Sequence, residues 1–371
     1  MITVKGAVIR EPHGRFLLEE LYLAEPCGKE VVVRLAGTGI CHTDLLARDQ
    51  GFPFRLPAVL GHEGAGVVEQ IGPDVRKVRP GDRVVLSFAY CETCPSCAAG
   101  RPVYCAEAMQ LNLTGLRPGG EAAFRDVNGA PVFGNFFGQS SFCTHSLTSE
   151  SNLTRVNTDV PLELLGPLGC GIQTGAGTVL NVLKPRSGAS IAIFGVGPVG
   201  LAAVMAARVA GCATIIAIDL LQERLDMALE VGATHAIRAA SEGLGKQVLA
   251  IAKGGLDCSI DCAGRPEVLR KAVDLLAPGG SCALVGVADR GAEVSLGMGS
   301  LLNGRSVRGV MEGDSVPEQF IPQLVELWRA GRLPFDRYVR YFDLEDINEA
   351  VAACEAGQVL KAILRPGTRN H

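Results

Sequence analysis

Two hydrophobic rhythms divide the chain. Through residue 90, short β-branched runs at 30–36, 67–71 and 83–86 are separated by turn sequences such as Gly72-Pro73-Asp74 and Arg79-Pro80-Gly81-Asp82. Short strands at regular turn spacing predict a small, barrel-like β domain. Met1 to Arg10 reads as its first strand and not as a charged start followed by an apolar signal core.

From residue 172 the rhythm changes. A helical stretch over 172–183 ends at Lys184-Pro185, and apolar runs at 190–194, 214–218, 257–261 and 281–287 then alternate with helical stretches such as 199–210 and 266–276. That alternation predicts an α/β unit built on a doubly wound parallel sheet. A helix over 317–330, around Trp328, and an apolar strand over 359–364 are expected to return to the first domain. Residues 106–150 show neither rhythm and read as an irregular, Gly-rich connection holding Phe124, Phe133, Phe136, Phe137 and Phe142. The stretch 191–207 is uncharged, but Gly195, Gly197, Pro198 and Gly200 interrupt it, so a strand, a turn and a small-residue helix explain it better than a membrane span.

Composition narrows the partners. The 371 residues are 47% hydrophobic and 20% charged, enough for two cores. With 35 basic and 39 acidic residues well mixed and a net charge of −4, no basic stripe points to nucleic acid. Neither a membrane nor a nucleic-acid partner is expected. Thirteen cysteines without a secretory signal imply a reducing, cytoplasmic setting, where clustered thiols are metal ligands and not disulfides.

Cys91, Cys94, Cys97 and Cys105 form such a cluster, C-x₂-C-x₂-C-x₇-C. Four thiolates leave zinc no open position, so a structural site is expected over 91–105; the Cys-Pro ending of bacterial iron–sulfur ferredoxins is absent. Cys27, Cys143, Cys212, Cys258, Cys262, Cys282 and Cys354 have no partner spacing and read as small apolar residues. A second candidate set is wide apart: Cys41 in Gly39-Ile40-Cys41-His42-Thr43-Asp44, His62 in Gly61-His62-Glu63-Gly64-Ala65-Gly66, and Cys170 in Gly166-Pro167-Leu168-Gly169-Cys170. Two thiolates and one imidazole would leave zinc an open fourth position, the catalytic arrangement. Spacing alone does not separate that from three unrelated residues.

Gly195-Val196-Gly197-Pro198-Val199-Gly200 is G-x-G-x-x-G between a predicted strand and a predicted helix, and Asp219 ends the next strand. Gly195 permits the tight turn, Gly197 the approach of a pyrophosphate, and Gly200 close helix–sheet packing. The helix N-terminus offers free N–H groups to the phosphates. Asp219 should accept from the adenosine ribose hydroxyls and repel a 2′-phosphate, favouring NAD over NADP.

Taken together, the Gly61-His62-Glu63 stretch, the four-cysteine lobe, Cys170 and the nucleotide loop resemble the zinc-containing medium-chain alcohol dehydrogenases, in that family's order and over nearly the whole chain. The resemblance implies a Rossmann-type domain at 172–305 inserted in a GroES-like β-barrel catalytic domain at 1–171 and 306–371. It implies two zinc ions per chain, the catalytic one on Cys41, His62 and Cys170, with Glu63 behind the metal and Asp44 on the other nitrogen of His62. Thr43 would bond the substrate oxygen and pass its proton to a relay through the cofactor ribose. Further cofactor contacts would come from Pro198, Val199, Arg224, Thr174, Val285, Val287 and Lys361. Two positions depart from the family: Leu46 stands where relatives often carry the relay's outer His, and His42 where many carry an Arg beside the pyrophosphate. His42 is the alternative proton acceptor.

Within the family the chain looks most like the bacterial aryl (benzyl-type) alcohol dehydrogenases, with Phe136 and Phe137 lining the pocket and Ser87 leaving room for a ring. The expected reaction is oxidation of a primary, aromatic alcohol to its aldehyde, in a homodimer or homotetramer. The alternatives are a thiol-adduct (formaldehyde) dehydrogenase, an aliphatic alcohol dehydrogenase, or an inactive zinc- and nucleotide-binding regulator. The last would lack a ligand or the hydroxyl, and all three ligands and Thr43 are present.

Overall fold

The computed structural model describes residues 1–157 and 159–367. Residues 368–371, the end of the segment expected to rejoin the first domain, lie outside that description. The chain divides into two compact units: Met1–Cys170 with Val316–Pro322 and Tyr338–His371, and Gly171–Ser315 with Gln323–Arg337.

The first unit is built around the strand Glu30–Gly39. Successive side chains on a strand face opposite ways, and here both faces are covered. Val31, Val33 and Leu35 pack with Val68, Val84, Leu86 and Leu153. Val32 points into a larger core with Val8, Leu21, Phe124, Phe136 and Phe142. The strand pairs antiparallel with Gly64–Ile71, with His145–Ser149 and, at its Thr38–Gly39 end, with Lys361–Arg365. Ile2–Ile9 and Leu17–Leu23 form the centre of a second antiparallel sheet.

The second unit holds a six-stranded, all-parallel sheet in the order His235–Arg238, Thr214–Asp219, Ser190–Phe194, Leu256–Asp261, Leu276–Leu284, Ser306–Gly309. Numbered along the chain this is 3-2-1-4-5-6, the order of dinucleotide-binding sheets. Its central strand is apolar on both faces, with Ile191, Ala192, Ile193 and Phe194 all buried, as a sheet covered on both sides requires. The α/β architecture expected from the alternating rhythm is therefore present. The uncharged stretch near 191–207 is the strand Ser190–Phe194 followed by the helix Pro198–Val209. No helix among the described residues is long and apolar enough to cross a membrane.

Three expectations change. The parallel sheet does not stop at residue 305: Ser306–Gly309 is its sixth strand, because its backbone pairs with residues 281–284 although Ser-Val-Arg-Gly carries no hydrophobic signal. The 106–150 connection is not irregular throughout. It contains the helix Ala108–Leu113 and contributes Phe124–Asp126, Pro131–Val132 and His145–Ser149 to the two sheets of the first unit. Elements of two to six residues are too short to set up a period, and tertiary pairing decides them. Cys27 is exposed and not a small packing residue: its thiol donates to Glu30 at 3.3 Å and Arg117 donates to it at 3.2 Å.

Candidate active site

Cys41 caps the helix His42–Arg48, and Asp44 in its first turn folds back over it. One Asp44 oxygen accepts the Cys41 N–H at 2.9 Å; the other accepts the Gly61 N–H at 3.1 Å and lies 2.7 Å from His62 Nδ1. One fully buried carboxylate thus holds two segments that are distant in sequence. Because a carboxylate accepts, Nδ1 carries a proton, and Nε2 is left for a second proton or a metal. That Nε2 is buried and has no hydrogen-bond partner.

Cys170 follows the tight turn Gly166–Gly169. A Cβ on Gly169 would lie 1.9 Å from the Leu86 carbonyl oxygen, so only glycine brings the chain this close. The result is that Cys41 Sγ, Cys170 Sγ, a His62 ring nitrogen and a Glu63 carboxylate oxygen all lie within 4.8 Å of one another. Two sulfurs and an imidazole are zinc donors in number and softness, and the orphaned Nε2 is the lone pair such an ion would take. The residues fit the metal.

The charges around this cluster agree with that. A hydrogen bond from Cys170 holds the Cys41 thiol well below its ordinary range; burial opposes this, and His62 and Lys361 reinforce it. Burial lowers His62, but Asp44 and Cys41 outweigh it and hold the imidazole well above its usual value. Metal ligands must shed their protons, so zinc binding at this cluster would release protons.

Lys361, expected among the cofactor contacts, is only 2% exposed. Its Nζ donates to both Glu63 oxygens at 2.7 and 2.8 Å and to the Ile40 carbonyl at 3.0 Å. Burial pushes the Glu63 carboxyl up to about 7 against the pull of Lys361, whose own pKa that carboxylate raises. The lysine is spent on a buried ion pair behind the metal cluster, a contact no local pattern signals.

The aromatic expectation also changes. Phe136 is fully buried, edge-on to His62 (5.5 Å, 85°) and to Phe54, and so belongs to the core. Phe137 is half-buried and stacks on the His62 ring at 4.6 Å and 27°. Ser87 is buried, with its hydroxyl donating to the Gly169 carbonyl at 2.7 Å; it supports the Cys170 turn and lines no open space. Thr43 is half-buried with its hydroxyl 3.7 Å from Cys41 Sγ, Leu46 is half-buried, and His42 is exposed.

In the four-cysteine lobe, Cys91 and Cys97 sulfurs are 4.0 Å apart and all four lie within 4.8 Å. Main-chain N–H groups of Cys91, Cys94, Ala106 and Glu107 point at sulfurs from 3.3 to 3.4 Å. Such N–H bonds pull the thiols of Cys91 and Cys94 down, the latter to about 6, while burial pushes Cys97 up to about 12 and raises Cys105. Four sulfurs this close cannot all ionise without a cation between them.

The nucleotide loop lies in the second unit. Gly195 follows the strand Ser190–Phe194, Gly197 caps the helix Pro198–Val209, and no side chain caps that helix N-terminus. A Cβ on Gly200 would meet the Gly195 carbonyl oxygen at 2.1 Å. Asp219 accepts the Val196 N–H at 2.8 Å and the Leu221 N–H at 3.0 Å, and Arg224 lies 3.8 Å from it. Val199 and Val285 are half-buried and Val287 exposed, while the Thr174 hydroxyl donates to Glu312 at 3.3 Å.

Comparison with known proteins gives the same two parts. Residues 28–157 match the family "Alcohol dehydrogenase GroES-like domain" and residues 198–329 the family "Zinc-binding dehydrogenase". Geraniol dehydrogenase of Castellaniella defragrans is 44% identical over 98% of both chains. The S-(hydroxymethyl)glutathione dehydrogenase of Paracoccus denitrificans is 33% identical over 98% of this chain and 100% of its own. The crystal structure of benzyl alcohol dehydrogenase from Acinetobacter calcoaceticus, 41% identical, covers 99% of this chain and 100% of its own with a TM-score of 0.96.

Proposed function

Given that the chain belongs to the zinc-containing medium-chain alcohol dehydrogenases, we propose that it oxidises primary alcohols bearing a flat apolar group, of the benzyl type, to their aldehydes with NAD. The observation that carries the reading is the orphaned His62 Nε2 among two cysteine sulfurs. Zinc, when bound, supplies the Lewis acidity that makes the alcohol a stronger acid, and NAD supplies the acceptor of its hydride. Cys41, His62 and Cys170 are the ligands in this reading. Asp44 keeps the proton on His62 Nδ1 so that Nε2 stays aimed at the metal. Thr43 Oγ1 accepts the alcohol proton as it gives up its own to the relay. Leu46 offers no base at the outer end of the relay, so the proton leaves through water or through His42. Phe137 shields one side of His62 and is the ring available to face the substrate. Cys91, Cys94, Cys97 and Cys105 hold the second, structural zinc.

The test is NADH formation by the zinc-loaded protein across a panel of alcohols. Benzyl alcohol should exceed ethanol in kcat/KM. Burying roughly 100 Å² of additional apolar surface contributes about 2.5 kcal/mol, or somewhat under 100-fold. Equality between the two would end the aromatic reading and leave the family intact. Geraniol above benzyl alcohol would move the substrate to acyclic terpenoids, and formaldehyde with glutathione above both would move it to thiol adducts.

NAD should be preferred to NADP. The Asp219 carboxylate is the group expected to meet the ribose, and a charge-assisted hydrogen bond there contributes about 1.5–3 kcal/mol, roughly 10- to 150-fold. Asp219→Gly should lose most of that preference. Equal kcat/KM for the two cofactors in the unaltered protein would contradict the role given to Asp219.

A homo-oligomer is part of the proposal. Ser306–Gly309 is an edge strand, and the short helix before it exposes Met298 (86%) and Leu302 (89%). An edge with adjacent exposed apolar side chains favours association with a second copy. Sedimentation at micromolar concentration should give a dimer or tetramer; a monomer would remove this part of the reading.

A further inference from the structure

We propose that Gln139 is a positioning residue for the open metal site, its carboxamide setting the separation between the segment carrying His62 and the segment carrying Cys170. The proposal rests on the reading of Cys41, His62 and Cys170 as zinc ligands.

Gln139 is 1% exposed, and its side-chain amide is used entirely on main chain around the site. Nε2 donates to the His62 carbonyl at 2.8 Å and to the Ser87 carbonyl at 3.3 Å, while Oε1 accepts the Gly64 N–H at 3.1 Å. Two carbonyls and one N–H fix which end of the amide points where, since the reverse orientation would set oxygen against oxygen. His62 is therefore gripped on its own carbonyl and two residues further on. Ser87, the amide's other partner, has its hydroxyl on the carbonyl of Gly169, the residue before Cys170. Asn152 also donates to the Ser87 carbonyl, at 3.0 Å. The path from His62 to Cys170 thus runs through two short side chains, Gln139 and Ser87, both buried.

The loop bearing Gln139 is itself pinned. Ser141 and Phe142 N–H groups bond the Gly61 and Leu60 carbonyls at 2.9 Å, and the Ser146 hydroxyl donates to the Gln139 carbonyl at 2.5 Å. Asp44 orients the His62 ring from one side; Gln139 holds its main chain from the other. Groups that orient metal ligands typically alter metal affinity 10- to 100-fold when removed.

The test uses the full chain with cobalt in the open site, so that the visible ligand-field bands report the metal's geometry directly. Gln139→Met keeps the length of the side chain and removes its donors and acceptor. Its cobalt bands should shift, and chelator-driven cobalt loss should speed up about 10- to 100-fold, with the four-cysteine lobe still holding zinc. A lower Tm with unchanged bands and an unchanged loss rate would make Gln139 a scaffold residue and overturn the proposal. Should Gln139→Met fail to fold, Ser87→Ala breaks the same path at the Gly169 link and is read by the same two signals, a shift supporting the proposal and none overturning it. If the unaltered chain takes metal only in the lobe, the ligand assignment itself falls, and the proposal with it.

Discussion

Cys170→Ser should give a folded chain that holds one zinc instead of two and has lost turnover by about 10³- to 10⁴-fold. The serine hydroxyl fits the space but is a poor zinc ligand, so the two-sulfur, one-nitrogen set around His62 Nε2 is broken. Lewis-acid stabilisation contributes several kcal/mol to such a reaction, at 1.36 kcal/mol per tenfold. The fold should survive because the site lies on elements already packed: Leu168, Leu86 and Leu153 are buried. Metal analysis and kcat on the same preparation check both halves. Full activity with one zinc per chain would show that the catalytic assignment is wrong.

Cys97→Ala should act on the fold and not on the chemistry. Between residues 91 and 105 only Pro102, Val103 and Cys105 are buried, so the lobe has almost no apolar core. Structural zinc contributes on the order of 10 kcal/mol to such a segment, comparable with the whole stability of a domain. Without it, local opening of the lobe should cost almost nothing. The N–H groups of Cys94 and Ala106, which bond sulfurs at 3.3 and 3.4 Å, are the reporters. Their hydrogen exchange should accelerate at least a thousandfold, about 4 kcal/mol. Exchange within a few-fold of the unaltered protein would mean that chain packing, not metal, closes the lobe.

What could be seen in the sequence was what is local. The four cysteines fall within 15 residues, and the strand, glycine loop and helix of the nucleotide site are consecutive, so spacing and rhythm suffice. Cys41, His62 and Cys170 needed the family resemblance, because nothing between them ties the three together until the chain is folded. Three features carry no local signal. Ser306–Gly309 joins its sheet through backbone bonds, with side chains too polar to announce a strand. Phe136 and Phe137 are adjacent and identical in type, and only the loop conformation sends one into the core and leaves the other on His62. Gln139 is one buried polar residue in an aperiodic loop, 77 positions from the carbonyl it holds.

The ion pair of Lys361 with Glu63 joins residues 298 positions apart. Seen as an order of events during synthesis, that separation matters. At about 5–20 residues per second, roughly 15–60 s pass between the two residues leaving the ribosome. For that interval Glu63 has no ammonium to meet, and the Thr38–Gly39 end of the central strand lacks its last neighbour. The four-cysteine lobe is complete in sequence once residue 105 has emerged, whereas the other cluster waits first for Cys170 and then, across the whole inserted unit, for its counter-ion. The residues of the two clusters therefore become available at different times, those of the four-cysteine lobe first and those of the open cluster with its counter-ion last.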